Sequence, residues 1–317
     1  MQKKSFIVIM MSVWLLTTAG GVAATEQLGR LRMALLPIPD VLPIYVAEEK
    51  GFFKDLGLVV ESLPVGSALE RDQLLQAGRI DGMINELSGA ANFNRNKNVV
   101  KVVSVARAPL GNSPLFRIVS APGSGIDSPE KLAGVAIGIS KNTVIEYISA
   151  RLLTASGVEP DAISFQSVPV LPERLQLLLS GQIKAATLPD PLGAAALKAG
   201  AIEVVNDLAL KDVSASVITF SNESLTGKKE AVKAFMTAWD MAAAELNANP
   251  EAYRQLMLGK IRVPRNIRDQ FSVPPMVRRA LPSRKQWQDV MDWMVSKGLL
   301  ERPLAYESSV TADFVAD

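Results

Sequence analysis

The sequence has no cysteine and no histidine among its 317 residues. Without cysteine there is no disulfide bond and no thiol nucleophile, and without histidine there is no imidazole base. The common hydrolytic constellations built on Ser-His-Asp or Cys-His therefore lose a required member. A zinc site would have to consist of carboxylates alone, which is unusual. These absences argue against an enzyme and favour a protein that binds without making or breaking a bond.

A membrane-spanning apolar run is also absent from the sequence. The apolar run at residues 6–16 is well short of the ~20 residues that a spanning helix needs. It follows a basic start and precedes a stretch of small residues ending at Ala24. That order predicts a secretory signal peptide over residues 1–24, cleaved after Ala23 or Ala24. Because no cysteine is present to carry a lipid, we expect a free periplasmic protein and not a lipoprotein.

The sequence also has almost no excess of positive over negative charge. The formal net charge is +2, and the predicted signal peptide accounts for both surplus charges through Lys3 and Lys4. A mature chain with no net charge and no basic cluster argues against a nucleic-acid partner, whose binding depends on clustered Lys and Arg. We expect a monomer that needs no cofactor.

Two segments of the chain resemble each other. Residues 73–80 read QLLQAGRI and residues 176–183 read QLLLSGQI, and their starting positions lie 103 residues apart. Just upstream, SLPV at 62–65 matches SVPV at 167–170. Chance similarity of leucine-rich helices is the alternative. The shared order of predicted elements around both segments favours an internal duplication.

Each copy predicts strand, helix, strand, helix, strand. In the first copy the predicted elements are a strand at 32–36, a helix at 41–50, a strand at 59–63, a helix at 69–77 and a strand at 80–84. In the second they are 135–139, 144–155, 163–168, 172–179 and 183–187. A further strand is predicted at 213–220, and helices at 228–247, 250–258 and 284–297. Alternating strands and helices imply an α/β protein with two lobes, each a mostly parallel sheet flanked by helices.

Several stretches resemble one family of binding proteins. Residues 45–61, YVAEEKGFFKDLGLVVE, closely resemble a segment of the nitrate/sulfonate/taurine and thiamine-precursor group of periplasmic solute-binding proteins. Residues 76–82, 128–134, 188–192 and 293–303 agree with the same group. The resemblance implies a type II periplasmic-binding fold that holds a small-molecule solute between two lobes closing by a hinge. It also implies a partner, the transmembrane permease of an ATP-driven importer.

The resemblance further implies that the chain starts in one lobe, crosses to the other and returns. We expect lobe one over residues 25–113, lobe two over 114–215 and a return to lobe one over 216–317. Two other functions stay open: a ligand-binding enzyme on the same fold, of the thiamine-pyrimidine type, and a sensory ligand-binding domain.

The expected site lies at the carboxyl ends of the strands, where open α/β sheets bind ligands. In lobe two, a helix is predicted to start after the loop that contains Ser140, Asn142 and Thr143. The free N–H groups of a helix start suit an anionic group, although ordinary N-capping by Ser140 or Asn142 is the alternative.

The loops of lobe one contribute the other predicted ligand contacts, which are Pro37, Ile38, Asp40, Asn85, Glu86 and Ser88. Relatives that bind the thiamine pyrimidine carry aromatic and histidine residues around the first of these loops, which places pyrimidine binding in doubt here. Asp190 lies between two prolines at the opposite edge, in lobe two. Carboxylates facing one cleft would favour a cationic or zwitterionic solute, and solvated or capping carboxylates are the alternative.

Overall fold

A computed structural model describes residues 27–315. The predicted signal peptide lies outside these residues. Within residues 27–315, ten strands form two sheets of five. They are β1 (Gly29–Leu35), β2 (Leu58–Pro64), β3 (Gly82–Glu86), β4 (Val100–Arg107), β5 (Phe116–Ser120), β6 (Ala136–Ile139), β7 (Ser164–Ser167), β8 (Ala185–Pro189), β9 (Ile202–Asn206) and β10 (Ser216–Ser221).

The two sheets have the same plan. The first has the order β2-β1-β3-β10-β4 and the second the order β7-β6-β8-β5-β9. In the first, β10 runs antiparallel between β3 and β4, and in the second β5 runs antiparallel between β8 and β9. The other pairings in both sheets are parallel. The predicted fold class, two α/β lobes with mostly parallel sheets, is therefore confirmed.

In the described part of the chain, twelve α-helices pack around the two sheets. They are α1 (Leu42–Glu49), α2 (Phe52–Asp55), α3 (Ala68–Gln76), α4 (Leu87–Asn94), α5 (Val144–Ala155), α6 (Leu171–Leu179), α7 (Leu192–Lys198), α8 (Asn222–Gly227), α9 (Lys229–Ala248), α10 (Arg254–Lys260), α11 (Arg284–Ser296) and α12 (Tyr306–Ser309). No helix within residues 27–315 is both long and apolar enough to cross a membrane.

Local sequence signals explain where the duplicated helices begin and end. The Ser67 side chain caps α3 by accepting a hydrogen bond from the Glu70 amide at 3.2 Å. Gly78 follows this helix with φ near 64°, a left-handed backbone that glycine adopts without penalty. Thr143 caps α5 in the same way, through the Ile145 amide. The helix that follows has the predicted bounds, 144–155.

The two links between the lobes join the carboxyl edges of both sheets. Residues 108–115 leave the end of β4 and enter β5, whose first residue Phe116 pairs with Pro189 at the end of β8. Residues 207–215 leave lobe two and enter β10, whose first residue Ser216 pairs with Glu86 at the end of β3. The carboxyl ends of the parallel strands in the two lobes therefore face each other.

Apolar clusters hold each lobe and also join the lobes. In lobe one, Phe235 of α9 stacks on Phe53 at a centroid distance of 5.5 Å and meets Phe220 of β10 edge to face at 5.4 Å. A second cluster spans both lobes, with Tyr147 of α5 packed against Trp293 of α11 at 5.6 Å. Burying these aromatic side chains is worth roughly 1.5–3 kcal/mol each, so the α5–α11 contact fixes one side of the lobe interface.

Three expectations from the sequence are corrected by the structure. Residues 85–88 do not form a loop, because β3 runs to Glu86 and α4 begins at the next residue. The predicted helix at 250–258 is a 3-10 turn, Pro250–Tyr253, followed by α10. Eight further helices and strands of the described residues were not predicted: α2, α4, β4, β5, α7, β9, α8 and α12.

Candidate functional site

The candidate site is the region where the strand ends of the two lobes meet. On the lobe-one side, a cavity of about 260 Å³ opens at the ends of β1 and β2. Pro37, Tyr45, Lys260 and Arg262 are among its lining residues, and the Lys260 ammonium lies 4.9 Å from the centre of the Tyr45 ring. A larger cavity of about 480 Å³ lies at the opposite end of β2, around Gly57. It is remote from the facing strand ends.

The first loop of lobe one is held by an ion pair. Asp40 lies in the 3-10 turn Pro39–Val41 and is buried. Its Oδ2 accepts a hydrogen bond from Nη1 of Arg107 at 3.2 Å, and Arg107 also donates to the Pro114 carbonyl. Asp40 therefore already has a buried cationic partner.

The neighbouring residues Pro37 and Ile38 contribute mainly backbone and apolar surface. The Pro37 carbonyl accepts from the Arg262 amide at 3.1 Å. Ile38 is partly buried against the core of lobe one. Both residues thus lie at the predicted edge, at the end of β1.

Asn85 is the most constrained polar side chain of the site. It is 1 % exposed, and its Oδ1 accepts from Nη2 of Arg71 at 3.1 Å and from the Glu86 amide at 2.8 Å. These two bonds fix the amide orientation, yet the Nδ2 group has no hydrogen-bond partner among the described residues. A buried unpaired donor costs roughly 1–3 kcal/mol. A ligand acceptor placed beside Asn85 would remove that cost.

Glu86 and Ser216 form an adjacent polar pair across the sheet. Glu86 ends β3 and its side chain is 36 % exposed, with Oε2 4.0 Å from Nη2 of Arg71. Burial by the surrounding protein raises the pKa of Glu86, while the charge of Arg71 acts in the opposite direction. The buried Ser216 hydroxyl has no partner within the described residues. Ser88 is buried in the first turn of α4.

In lobe two, the helix start predicted as an anion site is partly occupied by the protein's own groups. Asn142 has a left-handed backbone with φ near 61°, and its amide donates to Oε2 of Glu146 at 2.6 Å. The Thr143 hydroxyl caps α5 and donates to the Ser140 carbonyl at 2.7 Å. The N-cap of α5 is therefore Thr143, and not Ser140 or Asn142 as the capping alternative had it. The Ser140 side chain remains at the end of β6.

Arg174 was not singled out from the sequence. It lies in α6, is fully buried, and donates to the carbonyls of Val168 and Thr187 at 2.8 and 2.7 Å. Its Nη2 donates to Oγ of Ser140 at 2.5 Å. Within residues 27–315 no carboxylate pairs with it. Burial lowers the pKa of Arg174 to about 10.

Asp190 has a dedicated partner in its own lobe. Arg117 of β5 donates to both carboxylate oxygens, at 2.9 and 3.1 Å, and also pairs with Glu203. The Ala194 amide donates to Oδ1 at 3.0 Å. Gly193 makes room for this arrangement, because a Cβ there would overlap the side chains of Arg117 and Asp190. The carboxylate has little capacity left for a ligand.

Two sets of polar contacts join the lobes beside the site. Lys297, which follows α11, donates to Oε1 of Glu146 at 2.6 Å, and the Tyr147 hydroxyl donates to Asp289 of α11 at 2.6 Å. On another side, Nδ2 of Asn266 donates to the carbonyl of Ala195 in α7 at 2.9 Å. The lobes are therefore in contact around the site. In residues 27–315, no group of three His, Cys, Asp or Glu side chains is placed to hold a metal ion.

Comparison with known proteins identifies the family to which the chain belongs. Residues 38–253 match the family model described as NMT1/THI5 like. No curated protein matches the chain.

Solved structures share the fold at low sequence identity. The periplasmic aliphatic sulphonate binding protein SsuA from Escherichia coli is 14 % identical, with a TM-score of 0.74, and the match covers 89 % of this chain and 92 % of that one. A ligand-binding component of an ABC-type import system from Staphylococcus aureus, solved with zinc bound, is 15 % identical with a TM-score of 0.73, over 90 % and 98 %. A DSZB variant in complex with biphenyl-2-sulfinic acid is 15 % identical with a TM-score of 0.67, over 90 % and 97 %. The last is a form of a desulfurization enzyme, so the fold alone does not separate binding from catalysis.

Proposed function

Because the chain belongs to the NMT1/THI5-like family, we propose that it is the extracytoplasmic solute-binding component of an ATP-driven importer. It captures a small organic solute between its two lobes, which close by a hinge, and delivers that solute to a transmembrane permease. The protein acts in the periplasm as a monomer after loss of residues 1–24. Lobe one over residues 25–113 and 216–317, and lobe two over 114–215, are the two moving parts.

One observation carries this proposal: buried donors without partners lie where the two lobes meet. Within residues 27–315, Nδ2 of Asn85 at the end of β3 and the hydroxyl of Ser216 at the start of β10 are both buried and unpaired. Buried polar groups are nearly always hydrogen-bonded, and a solute bound at the lobe junction would supply partners for this pair. Ligand contacts from both lobes would also supply the differential affinity that drives closure.

The proposed role is binding without turnover. The chain contains no cysteine and no histidine, so the usual nucleophiles and bases of enzymes with this architecture are missing. The two aspartates of the site are occupied by arginines, Asp40 by Arg107 and Asp190 by Arg117. Of the three predicted carboxylate contacts within residues 27–315, Glu86 alone is left without a close cationic partner.

A thermal-shift screen of the mature protein tests the proposal. Sulfonates, amino acids, polyamines and pyrimidines are the classes to compare, and a solute at a hundred times its Kd should add about 2.7 kcal/mol of stability. Mass spectrometry of the solute recovered after incubation should show it unchanged. Stabilisation by no class would contradict the binding role, and a chemically altered solute would contradict the absence of turnover.

An Asn85→Asp variant tests the place of the site. The substitution keeps the oxygen that accepts from Arg71 and removes the free N–H, so solute affinity should fall roughly tenfold or more. Asn222 lies just beyond the other end of β10, and its amide binds the Asn98 carbonyl at the surface. Asn222→Asp is therefore the matched control, with unchanged affinity expected. Equal affinity in both variants would show that the site lies elsewhere.

A further inference from the structure

The duplication extends to a buried arginine in each lobe. Arg71 in α3 and Arg174 in α6 lie 103 positions apart, the same spacing that separates the repeated segments of the sequence. Both side chains are buried, and each donates through Nη1 to a carbonyl in the third strand of its unit. The acceptors are Ile84 at 2.9 Å in lobe one and Thr187 at 2.7 Å in lobe two. The two arginines are therefore structural counterparts.

Their charge environments have diverged. In lobe one, Nε of Arg71 donates to Asp72 at 2.8 Å, and Glu86 lies 4.0 Å from Nη2. The positive charge of Arg71 is thus compensated by the protein. Arg174 has no carboxylate partner within the described residues, and its three acceptors are two carbonyls and the hydroxyl of Ser140. A fully buried guanidinium without a counter-charge is costly to keep.

The bond from Arg174 also determines what the Ser140 hydroxyl can do. Because Nη2 donates to Oγ at 2.5 Å, the hydroxyl hydrogen must point elsewhere. Its present acceptor is the Pro169 carbonyl at 3.3 Å, beyond the usual O–H···O range of about 2.5–3.0 Å. The hydroxyl is therefore a donor with a poor acceptor, polarised by a cation, at the end of β6 where the lobes face each other.

We propose that Arg174 is a positioning residue that orients the Ser140 hydroxyl toward the solute and makes the lobe-two half of the site select an acidic group. Its counterpart Arg71 cannot play this role, since Asp72 and Glu86 already compensate it. The solute therefore binds in one orientation, with its acid toward Ser140 and its hydrogen-bond donors toward Glu86. This inference rests on the proposed solute-binding function. It adds that the solute carries an acidic group at one end and hydrogen-bond donors at the other.

Acetate and acetamide are suitable probes, because they have nearly the same shape and differ in charge. Titrations followed by amide NMR should show acetate, and much more weakly acetamide, shifting the signals of residues 140–146. Arg174→Gln should weaken acetate binding roughly tenfold to hundredfold and leave the weak acetamide response unchanged. Arg174→Lys keeps a charge and should restore part of the acetate response. A purely structural role of Arg174 would alter both probes together.

Arg79→Gln is the control in the other lobe, because Arg79 is exposed just after α3 and away from the site, and it should leave the acetate response of residues 140–146 unchanged. Ser140→Ala provides a second test should Arg174→Gln fail to fold, because Ser140 is only partly buried and its loss should weaken acetate binding about tenfold. The inference would be overturned if the protein responded equally to acetate and acetamide, or did not respond to acetate at all. It would also be overturned if acetate affinity were unchanged in Ser140→Ala or in folded Arg174→Gln.

The inference and the proposed function can fail separately. A solute found by thermal shift whose affinity is unaffected by Arg174→Gln would leave the binding function intact and overturn the role of Arg174. Conversely, acetate binding that depends on Arg174, in a protein stabilised by no solute class, would support the anion subsite and contradict the transport role.

Discussion

Three carboxylates were predicted from the sequence to contact the ligand, and the partners of each one determine how it can act. Asp40 is paired with Arg107, and Asp190 receives both N–H groups of a bidentate Arg117. Bidentate pairs of this kind are strong and geometrically fixed. Glu86 has only a distant cation, and burial raises its pKa. A residue placed in this way is poised to meet a donor on a solute, while contributing little to the stability of the ligand-free protein.

Replacing Glu86 by glutamine should therefore stabilise the ligand-free protein at neutral pH. The folded-state pKa is raised, so Glu86 favours folding at low pH and loses that contribution as the pH rises through its folded pKa. Because the side chain is 36 % exposed, we expect the gain in unfolding free energy to stay below about 1 kcal/mol. Urea unfolding at pH 7 and at pH 4 measures it. The gain should vanish at the lower pH, and an equal gain at both values would contradict the argument.

At the scale of single elements, α4 contains a glycine that lowers its helix propensity but is required by the packing. Gly89 lies in the first turns of α4, directly over the Asn85 side chain, and an added Cβ there would overlap Oδ1 of Asn85. Glycine at this position lowers the helix propensity of α4, and it leaves room for the Asn85 amide to pack against the helix. This close approach joins the end of β3, the start of α4 and the candidate site into one unit.

Gly89→Ala should consequently destabilise the protein, even though alanine is the better helix former. We expect a loss of about 1–3 kcal/mol from overpacking, together with weaker solute binding as Asn85 is displaced. Gly259 in α10 is the matched control, since nothing lies within 4 Å of its added Cβ. Gly259→Ala should be neutral or stabilising by up to about 1 kcal/mol. Thermal unfolding of both variants measures these changes in stability. A stabilised Gly89→Ala protein would refute the packing argument.

Sequence patterns predicted some elements well and missed others for physical reasons. The duplicated helices and strands were predicted because caps and terminal glycines mark them, and α5 has the predicted bounds. Helix α4 carries Gly89 and ends in asparagines, so its propensity is low and only packing on β4 and α11 reveals it. Strand β4 is a nearly continuous apolar run, which could have indicated a buried strand.

The sequence predicted where the candidate site lies in the fold better than it predicted which of its side chains are free to contact a ligand. The strand-end rule located Asn85, Glu86 and Ser140, and the repeat spacing of 103 could also have drawn attention to Arg71 and Arg174. The neutralisation of Asp190 could not be foreseen. Its partner Arg117 is 73 positions away in the chain, and only the antiparallel pairing of β5 with β8 brings the two together.

At the scale of the whole molecule, one buried carboxylate connects the two links between the lobes. Asp207 begins the returning link and accepts hydrogen bonds from the amides of Leu115 and Phe116, at the end of the outgoing one. It also accepts from the Ser214 hydroxyl, further along its own link. Any hinge motion of the lobes must turn about these links. The charge state of Asp207 therefore bears on the stability of the whole two-lobed arrangement.

Asp207 should make the folded state progressively less stable as the pH rises from about 4 to about 6. Burial raises the pKa of Asp207 to about 6, against the opposing influence of its hydrogen bonds and of Arg107. The unfolded chain titrates near 3.9. A raised folded pKa means that the contribution is complete below about 3.9 and lost above about 6, by at most about 3 kcal/mol.

The test is a comparison of unfolding free energies across this pH range for the parent and for Asp207→Asn. Asparagine does not titrate, so the parent's stability minus that of the variant should fall between about pH 4 and pH 6 and level off above it, whatever constant offset the lost acceptor adds. Asp212 is exposed in the same link, and the same comparison with Asp212→Asn should be nearly flat. A difference for Asp207→Asn that stays constant, or that grows with pH, would mean that this carboxylate is ionised over the whole range and that a permanent charge holds the two links together.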